Sequence, residues 1–474
     1  MQRFSLSVLL LWLVLPASAQ SLTQRIADAF RTFETQENLT NGTASLTVIN
    51  AETGEVVFAK NERLGLAPAS TLKTITSATA YQVLGATHTF ETTLSYTGRI
   101  DDSGTLQGDL VINGSGDPSL GSDRSPETTD TALLTAWVQA IRAAGIRHIN
   151  GRVVANDRLY SGHTAPRGWT WQDMGNYYGA GVSALNWREN AVGVRFTPGA
   201  SPGAATRIAG TTADISYLQL VNETTTGNRG TGDGVYAFSA PYASRIYLRG
   251  TYGIDLKKTI YLSVPDGAYD AAYQLQLALQ KAGIGPSGAP TTTYRLELAG
   301  SALPDAGTVI HTHRSPALGK LIHWFNRNSI NLYGEALLLA IAREQSAEAG
   351  AVSTRDGAEW LQKFWSAKLG VPADELKIMD GSGLSPENRV TTNALARVLA
   401  SAKKEPWFAS YYESLPTYNG MKMKSGTIGG VLGYAGYQTT SDGTPLVFAL
   451  LVNNYNGTAT PMRQRMFRLL NVLK

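Results

Sequence analysis

A serine and a lysine three residues apart are the first residues in the chain whose types and spacing suggest catalysis. Ser70 and Lys73 begin a segment, residues 70–84, whose apolar periodicity predicts a helix that ends at Gly85. Residues three apart on a helix share one face, so the Lys73 amine would stand beside the Ser70 hydroxyl. A serine is a weak nucleophile until a neighbour takes its proton, and a desolvated lysine can do so. Free N–H groups in the first helical turn would favour the anion formed during attack on a carbonyl.

Two further short motifs carry side chains that could complete such a site. Ser-x-Asn occurs only at Ser329 and Asn331, and Lys-Ser-Gly only at residues 424–426. Each motif also has a purely structural interpretation. Ser329 and Asn331 can cap a following helix, and Lys424 can lie on a solvated strand.

The elements that would position these motifs are helices and strands at the two ends of the chain. Residues 21–35 predict a helix, and residues 44–50 and 55–60 predict a hairpin. Further helices are predicted at 316–325, 332–344, 357–369 and 461–473, and strands at 421–424, 434–440 and 445–453. One antiparallel sheet with helices on its faces accommodates this order.

The middle of the chain differs from its flanks. It is rich in glycine, threonine and short strand-like runs, with helices predicted at 133–144 and 273–282 and a strand at 294–298. Because the ends of one domain usually lie close together, this segment is interpreted as an insertion. We expect a signal segment at 1–19, the first part of a domain at 20–92, a mostly β inserted region at 93–300 and the second part of the domain at 301–474.

The composition excludes several classes of protein. None of the 474 residues is a cysteine, which rules out disulfides, thiolate catalysis and cysteine metal sites. The formal charge of +4 comes from interspersed acidic and basic residues and does not indicate nucleic-acid binding. Arg3, an apolar run over residues 4–15 and small residues at 17–19 indicate a secretory signal cleaved after Ala19. No later segment is long and apolar enough to span a bilayer.

In their order along the chain, the three motifs resemble those of the penicillin-binding proteins. More narrowly, the chain is similar to the D-alanyl-D-alanine carboxypeptidase/endopeptidase family, of the class C, low-molecular-mass type. Family-like phrases lie at residues 108–110, 116–118, 182–185, 189–190, 380–385 and 435–437. The resemblance implies an α+β, multidomain fold of the β-lactamase/DD-peptidase type, with an antiparallel sheet flanked by helices and a large, mostly β insertion.

The resemblance also implies roles for the residues of the first two motifs. Ser70 would attack the carbonyl between two D-alanines, and Lys73 would take its proton. Ser329 would pass a proton to the leaving amine. Asn331 would hydrogen-bond both Lys73 and the substrate amide.

The third motif would bind the substrate. Lys424 would face the terminal carboxylate, helped by the hydroxyls of Ser425 and Thr427; the family usually has threonine where Ser425 stands. By analogy with the family, the backbone N–H groups of Ser70 and Thr427 would form the oxyanion hole. Gly426 would let the substrate approach the sheet edge closely.

Three other positions concern recognition of the substrate. We expect Leu384, in the loop at 380–385, to contact the substrate. Pro386 stands where family members often have an arginine that binds a diamino-acid carboxylate, although Arg389 lies nearby. Asp157 resembles an inserted-domain aspartate that meets the substrate's amine; an aspartate that stabilises a turn is the alternative.

Two other groups of residues can be interpreted as either structural or functional. The aromatic-rich residues 168–190 fit a packed interlobe surface, which we favour, or the wall of a binding cleft. His311 and His313 would share one face of a strand and could bind zinc. Because the sequence offers no third zinc ligand near them, we interpret them as ordinary surface histidines.

These observations predict a periplasmic serine DD-carboxypeptidase, and also an endopeptidase, that acts on peptidoglycan stem peptides. It would be acylated by β-lactams and would need neither metal nor cofactor. The first alternative is a β-lactamase, although the sequence assigns no carboxylate to a deacylating water and the large insertion argues against it. The second is a non-catalytic cell-wall-binding protein, against which the intact motifs argue. The sequence leaves the oligomeric state open.

Overall fold

The first elements are a helix, a hairpin and the helix that begins at Lys73. The computed structural model describes residues 20–305, 307–347 and 350–474, so the predicted signal segment at 1–19 lies outside the described residues. The elements are α1 (Leu22–Glu34), β1 (Thr43–Asn50), β2 (Val56–Lys60) and α2 (Lys73–Leu84). The Ser21 hydroxyl caps α1 by accepting the N–H of Gln24 at 3.2 Å. The predicted first helix and hairpin are confirmed.

The middle of the chain consists mainly of short strands. These are β3 (Glu91–Tyr96), β4 (Arg99–Ile100), β5 (Thr105–Gln107), β6 (Leu110–Asn113), β7 (His148–Ile149), β8 (Val153–Asn156), β9 (Ala191–Thr197), β10 (Arg207–Thr211), β11 (Gln219–Asn222), β12 (Thr225–Gly227), β13 (Asp233–Phe238), β14 (Arg245–Gly253), β15 (Ile260–Ser263), β16 (Thr291–Thr292) and β17 (Thr308–Arg314). The helices among them are α3 (Asp130–Ala143), α4 (Trp171–Met174), α5 (Gly267–Lys281) and α6 (Thr293–Leu298).

The prediction of a strand at 294–298 is wrong, because these residues form α6. The Thr292 hydroxyl accepts the N–H of Arg295 at 3.1 Å and so caps the first turn. A side-chain cap satisfies an N–H that has no partner within the helix. The local cap therefore overrides the strand-like alternation of side chains.

The last third returns to longer helices and then to long strands. The helices are α7 (Leu318–Asn328), α8 (Asn331–Gln345), α9 (Thr354–Leu369), α10 (Thr392–Ala402), α11 (Phe408–Ser414) and α12 (Ala459–Leu470). The strands are β18 (Leu376–Lys377), β19 (Arg389–Val390), β20 (Thr417–Tyr418), β21 (Met421–Ile428), β22 (Val431–Thr439) and β23 (Pro445–Asn453). The helices and strands predicted here are confirmed, with boundaries shifted by a few residues.

A six-stranded sheet joins the two ends of the chain. Its order is β2-β1-β23-β22-β21-β20, and every neighbouring pair is antiparallel. Strand β1 pairs with β23 along its whole length, from Thr43 opposite Asn453 to Asn50 opposite Leu446. The N-terminal hairpin and the C-terminal strands therefore form one layer.

Helices cover both faces of this sheet. On β23, Val447, Ala449 and Leu451 pack on the side that holds α2 and α7–α10, whereas Phe448 and Leu450 pack against α1 and α12. Successive side chains of a strand point to opposite faces, so a strand buried on both faces is apolar throughout. Helix α2 runs through the larger of the two cores, and its residues from Lys73 to Tyr81 are all buried.

The inserted region has its own sheets and cores. A five-stranded sheet has the order β16-β8-β6-β3-β17, in which β3 and β17 pair antiparallel where the chain enters and leaves the region. Further strands form a four-stranded sheet around β14 and two three-stranded sheets. The predicted fold class is confirmed, whereas the boundaries at 92/93 and 300/301 stay a prediction. Across the described ranges, no helix combines the length and the apolar character needed to cross a membrane.

Candidate active site

Ser70 lies in a tight turn directly before α2. Residues Ala69–Leu72 form a 3₁₀ turn, so the α-helix begins at Lys73 rather than at Ser70 as predicted. Side chains three apart eclipse each other in a 3₁₀ turn, and Lys73 Nζ lies 3.0 Å from Ser70 Oγ. Ala69 has a φ of 46°, a left-handed conformation that strains a residue with a Cβ atom. Such strain is common where the surrounding fold holds a functional side chain in place.

The Lys73 amine is buried and surrounded by acceptors. Its Nζ also donates to Asn331 Oδ1 at 2.6 Å and to the carbonyl oxygen of Ser382 at 2.7 Å. Burial lowers the pKa of Lys73 to about 7, although the carboxylates of Asp380 and Glu335 oppose this shift. An amine with such a pKa is neutral for part of the time near neutral pH and can accept a proton.

Ser329 and Asn331 lie at the break between α7 and α8. Ser329 has a left-handed φ of 57°, and its Oγ accepts a hydrogen bond from Lys424 Nζ at 3.0 Å. Asn331 Nδ2 donates to the carbonyl oxygen of Tyr178 at 2.7 Å. The N-cap residue of α8 is Ile330, and no side-chain cap is formed there. The capping interpretation of this motif is therefore wrong.

Lys424 is buried on β21, with 1% of its surface exposed. Besides Ser329, its Nζ donates to the carbonyl oxygen of Ser425 at 2.8 Å. Burial, and to a smaller extent the charge of Lys73, lower the pKa of Lys424 well below its usual value. The interpretation of Lys424 as a solvated strand residue is wrong, because its amine points into the site.

Gly426 permits close contact between β21 and the turn that carries Ser70. A Cβ atom at this position would lie 2.7 Å from the Pro68 carbonyl oxygen and 2.9 Å from the Ser70 nitrogen. Real side chains do not tolerate such distances to backbone atoms, so the strand would have to move away. Packing within the protein therefore already requires glycine here. The next residue, Thr427, is exposed.

A cleft of about 460 Å³ lies over these groups. Its lining includes Ser70, Tyr177, Tyr178, Ser329, Asn331, Leu384 and Thr427. Lys73 and Lys424 lie beneath this lining, each hydrogen-bonded to one of the two serines. The structure therefore brings residues from all three motifs together in one concave site.

The loop at 380–385 is folded around a buried carboxylate that sequence reasoning did not single out. Asp380 accepts hydrogen bonds from the backbone N–H groups of Gly383 at 2.7 Å and Ser385 at 2.6 Å, and from Trp169 Nε1 at 2.9 Å. These contacts fix the loop whose Ser382 carbonyl binds the Lys73 amine. The concentration of glycine and serine after Asp380 was the available signal, since N–H groups of such turns commonly bind a preceding aspartate.

Glu335 is a second buried acid, and it lies outside the three sequence motifs. One oxygen accepts the Gly381 N–H at 2.9 Å, and the other has no hydrogen-bond partner among the described residues. Burial and the neighbouring Asp380 raise the pKa of Glu335. Glu335 lies four residues after Asn331 on α8, so the shared helix face could have revealed it.

Asp157 does not line the cleft. Its carboxylate accepts hydrogen bonds from the Thr293 hydroxyl at 2.6 Å and the Tyr294 N–H at 3.1 Å, at the start of α6. This placement matches the structural interpretation and gives no support to a contact with the substrate's amine. Arg389, near the family's arginine position, donates to the carbonyl oxygen of Pro386 in its own loop.

The aromatic-rich stretch serves two purposes. Trp169 and Trp187 are buried, as the packed-surface interpretation requires. Tyr177 and Tyr178 instead line the cleft, and 61% of Tyr177 is exposed. The preference for a purely packed surface was therefore only partly right.

The histidine pair lies outside the cleft. His313 is buried, with its Nε2 4.0 Å from Asp117 Oδ2, so it is not a surface histidine as predicted. Burial lowers the pKa of His313 and raises the pKa of Asp117 to about 6. Among residues 20–305, 307–347 and 350–474, no three metal-binding side chains come together.

Comparison with known proteins identifies relatives that match most of the chain. A D-alanyl-D-alanine carboxypeptidase of Actinomadura sp. strain R39 is 27% identical over 456 residues, covering 89% of this chain and 79% of that protein. The D-alanyl-D-alanine carboxypeptidase DacB of Haemophilus influenzae is 23% identical, covering 86% of this chain and 84% of that protein.

The fold has a solved counterpart. The crystal structure of penicillin binding protein 4 (dacB) from Haemophilus influenzae superposes with a TM-score of 0.78 at 22% identity, covering 94% of this chain and 98% of that chain. The model of the D-Ala-D-Ala carboxypeptidase 3 (S13) family matches residues 26–418. The chain therefore belongs to the D-Ala-D-Ala carboxypeptidase 3 (S13) family of peptidases.

Proposed function

We propose that this carboxypeptidase hydrolyses the bond between the terminal D-alanines of peptidoglycan stem peptides through an acyl-enzyme on Ser70. The observation that carries the proposal is the 3.0 Å contact between Ser70 Oγ and a fully buried Lys73 amine. Ser70 supplies the nucleophile and Lys73 the base that activates it.

The contacts of Lys73 support its role as the base. An ammonium group has three N–H donors, and the amine has three acceptors in Ser70, Asn331 and Ser382. A neutral amine keeps two donors and gains a lone pair. The contacts to Asn331 and Ser382 are the shorter two, so the lone pair faces Ser70 and takes the hydroxyl proton as the Ser70 oxygen attacks the carbonyl.

The negative charge that develops on the carbonyl oxygen must be stabilised by hydrogen-bond donors. We assign this role to the backbone N–H groups of Ser70 and Thr427, which both lie at the cleft. The contact of Gly426 with the Ser70 turn supports this assignment, because it holds β21 against the nucleophile.

The leaving D-alanine departs as an amine and carries a carboxylate. Ser329 gives its hydroxyl proton to the amine as the peptide bond breaks and regains one from the Lys73 ammonium, which returns Lys73 to the neutral form. Lys424, with the hydroxyls of Ser425 and Thr427, binds the carboxylate, whose negative charge raises the pKa of Lys424 and so favours its ammonium form. Leu384 lines the same cleft. Water then hydrolyses the ester on Ser70 and releases the shortened peptide.

A β-lactam would acylate the same serine, because its strained amide takes the place of the peptide bond. A crystal structure of the Haemophilus influenzae relative is described as a complex with a novel β-lactam, which supports this extension. We also propose cleavage of peptide cross-links, and action in the periplasm after export directed by residues 1–19.

Labelled penicillin tests the serine. It should mark the wild-type protein and not Ser70→Ala, whereas equal labelling of both would remove Ser70 from the mechanism. A burst followed by a long-lived adduct fits the peptidase, and sustained turnover of penicillin would fit a β-lactamase instead.

Muropeptide digestion tests the substrate. Mass spectrometry before and after digestion should show the loss of one D-alanine from pentapeptides, and loss of cross-linked dimers if the endopeptidase activity is present. If the pentapeptides remained unchanged, the result would favour a non-catalytic cell-wall-binding protein instead.

A further inference from the structure

A second cavity continues the cleft onto the inserted region. It has a volume of about 1170 Å³ and shares Arg124, Tyr177, Tyr178, Glu189 and Ala191 with the lining of the cleft over Ser70. Because the two cavities share these walls, a ligand bound at Ser70 can extend into the second one without leaving the protein surface. We call this second cavity the tyrosine groove.

Exposed aromatic rings distinguish the tyrosine groove. Tyr177, Tyr236 and Tyr261 line it with 61%, 44% and 50% of their surfaces exposed. Large aromatic side chains usually bury their faces, and a concentration of exposed ones in a concave surface commonly marks a binding site. A tyrosine also offers a hydroxyl, so it suits a ligand with both apolar and polar groups.

The cations of the tyrosine groove are already neutralised by partners within the protein. Arg124 Nη2 binds Glu189 at 3.0 Å, Lys258 Nζ binds Asp233 at 3.1 Å, and Arg188 forms an ion pair with the buried Asp270. Asp123 and Asp130 add further acidic groups to the lining. An acidic peptide would meet carboxylates and paired cations there, so the groove disfavours a negatively charged ligand and is compatible with an uncharged one.

We propose that the tyrosine groove binds sugar rings of the glycan strand that carries the stem peptide. This inference rests on the proposed function, since that substrate joins a peptide to a polysaccharide. Sugar rings present flat C–H faces that can lie on tyrosine rings, and hydroxyl and amide groups that can bind the polar lining. The groove would hold the glycan while the peptide end reaches Ser70.

The test compares one peptide with and without its glycan. In the double variant Tyr236→Ala/Tyr261→Ala, the KM for D-alanine release from glycan-linked pentapeptide should rise about tenfold, with kcat unchanged. Release from the free pentapeptide and labelling by penicillin should match the wild type. Trp171→Ala is the matched control, because 54% of Trp171 is exposed on the same region and it lies outside the groove lining.

A binding experiment separates this inference from the proposed function. Ser70→Ala should bind the tetrasaccharide of β-1,4-linked N-acetylglucosamine, and the two tyrosine substitutions should abolish that binding. Equal KM values for the double variant and the wild type on glycan-linked substrate would overturn the inference. An equal rise in KM on the free pentapeptide would show that the groove binds the peptide instead, and it would also overturn the inference. If the wild type bound the sugar but released no D-alanine, the proposed function would be wrong, whereas the assignment of the groove to sugar binding would be supported.

Discussion

At the scale of single residues, the proposed chemistry depends on one amine that must lose its proton. Burial lowers the pKa of Lys73 to about 7. Only the neutral amine has a lone pair, so the rate of Ser70 acylation should rise as pH increases through that value. Stopped-flow measurements with a fluorescent penicillin between about pH 5 and about pH 9 would follow the rise. A rate independent of pH over this range would contradict the role of Lys73.

Glu335 offers a second prediction at this scale. Burial and the charge of Asp380 raise the pKa of Glu335 to about 8, so below that pH the acid is mostly protonated and resembles a glutamine. Glu335→Gln also keeps an oxygen for the Gly381 N–H, so the acidic limb of the acylation profile should stay where it is in the wild type. The same stopped-flow measurement checks this. A limb that moved to lower pH would show instead that Glu335 is ionised and raises the pKa of Lys73.

The residues of the site were predictable to different degrees. Ser70, Lys73, Ser329, Asn331 and Lys424 have characteristic spacings, and the structure brings them together. The roles of Glu335 and of the Tyr178 carbonyl were not visible. A buried carboxylate is recognised only by what surrounds it, and a backbone carbonyl has no sequence signature.

At the scale of elements, the approach of β21 to the Ser70 turn is the contact most sensitive to change. A Cβ atom in Gly426→Ala would lie 2.7 Å from the Pro68 carbonyl oxygen and 2.9 Å from the Ser70 nitrogen, so the strand must separate from the turn. We expect acylation by penicillin to slow at least about tenfold, because overpacking of this kind costs about 1–3 kcal/mol. Gly350→Ala, whose Cβ would meet nothing within 4 Å, is the control and should behave as the wild type.

The position of Asp157 leads to a prediction about α6. Asp157→Ala removes the acceptor for the Thr293 hydroxyl and the Tyr294 N–H. The free energy of unfolding should fall by about 1 kcal/mol, as for the loss of a helix cap. Thermal denaturation measures this change, and Asp102→Ala, on an exposed turn, serves as its control. A raised KM for D-alanine release with unchanged stability would indicate instead that Asp157 contacts the substrate's amine.

Long amphipathic elements were predictable from periodicity, whereas short ones were not. Helices α1, α7 and α9 repeat their apolar positions over several turns. Residues 294–298 are too few for a helical period to be distinguished from alternation, and the cap from Thr292 decides the outcome. The 3₁₀ turn before Lys73 could not be predicted either, because a single turn contains no repeating pattern.

At the scale of the whole molecule, one sheet is made from strands far apart in the sequence. Strand β1 lies between β2 and β23, so the N-terminal hairpin is attached to the rest of the sheet only through the last strand. A chain that ends at residue 444 lacks β23, which leaves β1 and β22 without their shared neighbour. It should not be labelled by penicillin, although Ser70, Lys73, Ser329, Asn331 and Lys424 are all present. Labelling of this truncated chain would contradict the dependence of the site on the complete sheet.

The broad organisation of the molecule was predictable, and its internal arrangement was not. Helical periodicity at both ends and short strands between them indicated an insertion into a sheet-and-helix fold. The continuity of the tyrosine groove with the cleft depends on how the inserted sheets meet the helices. Contacts between residues so distant in sequence leave no local pattern.

The central place of β23 in the sheet should also determine when the enzyme becomes active. A chain still leaving the ribosome, or still threading through an export channel, has made all its motif residues before the strand that unites them. We therefore expect Ser70 to stay unreactive until β23 has been made and has paired with β1 and β22. The order of synthesis alone would then keep the enzyme inert while these strands are still missing.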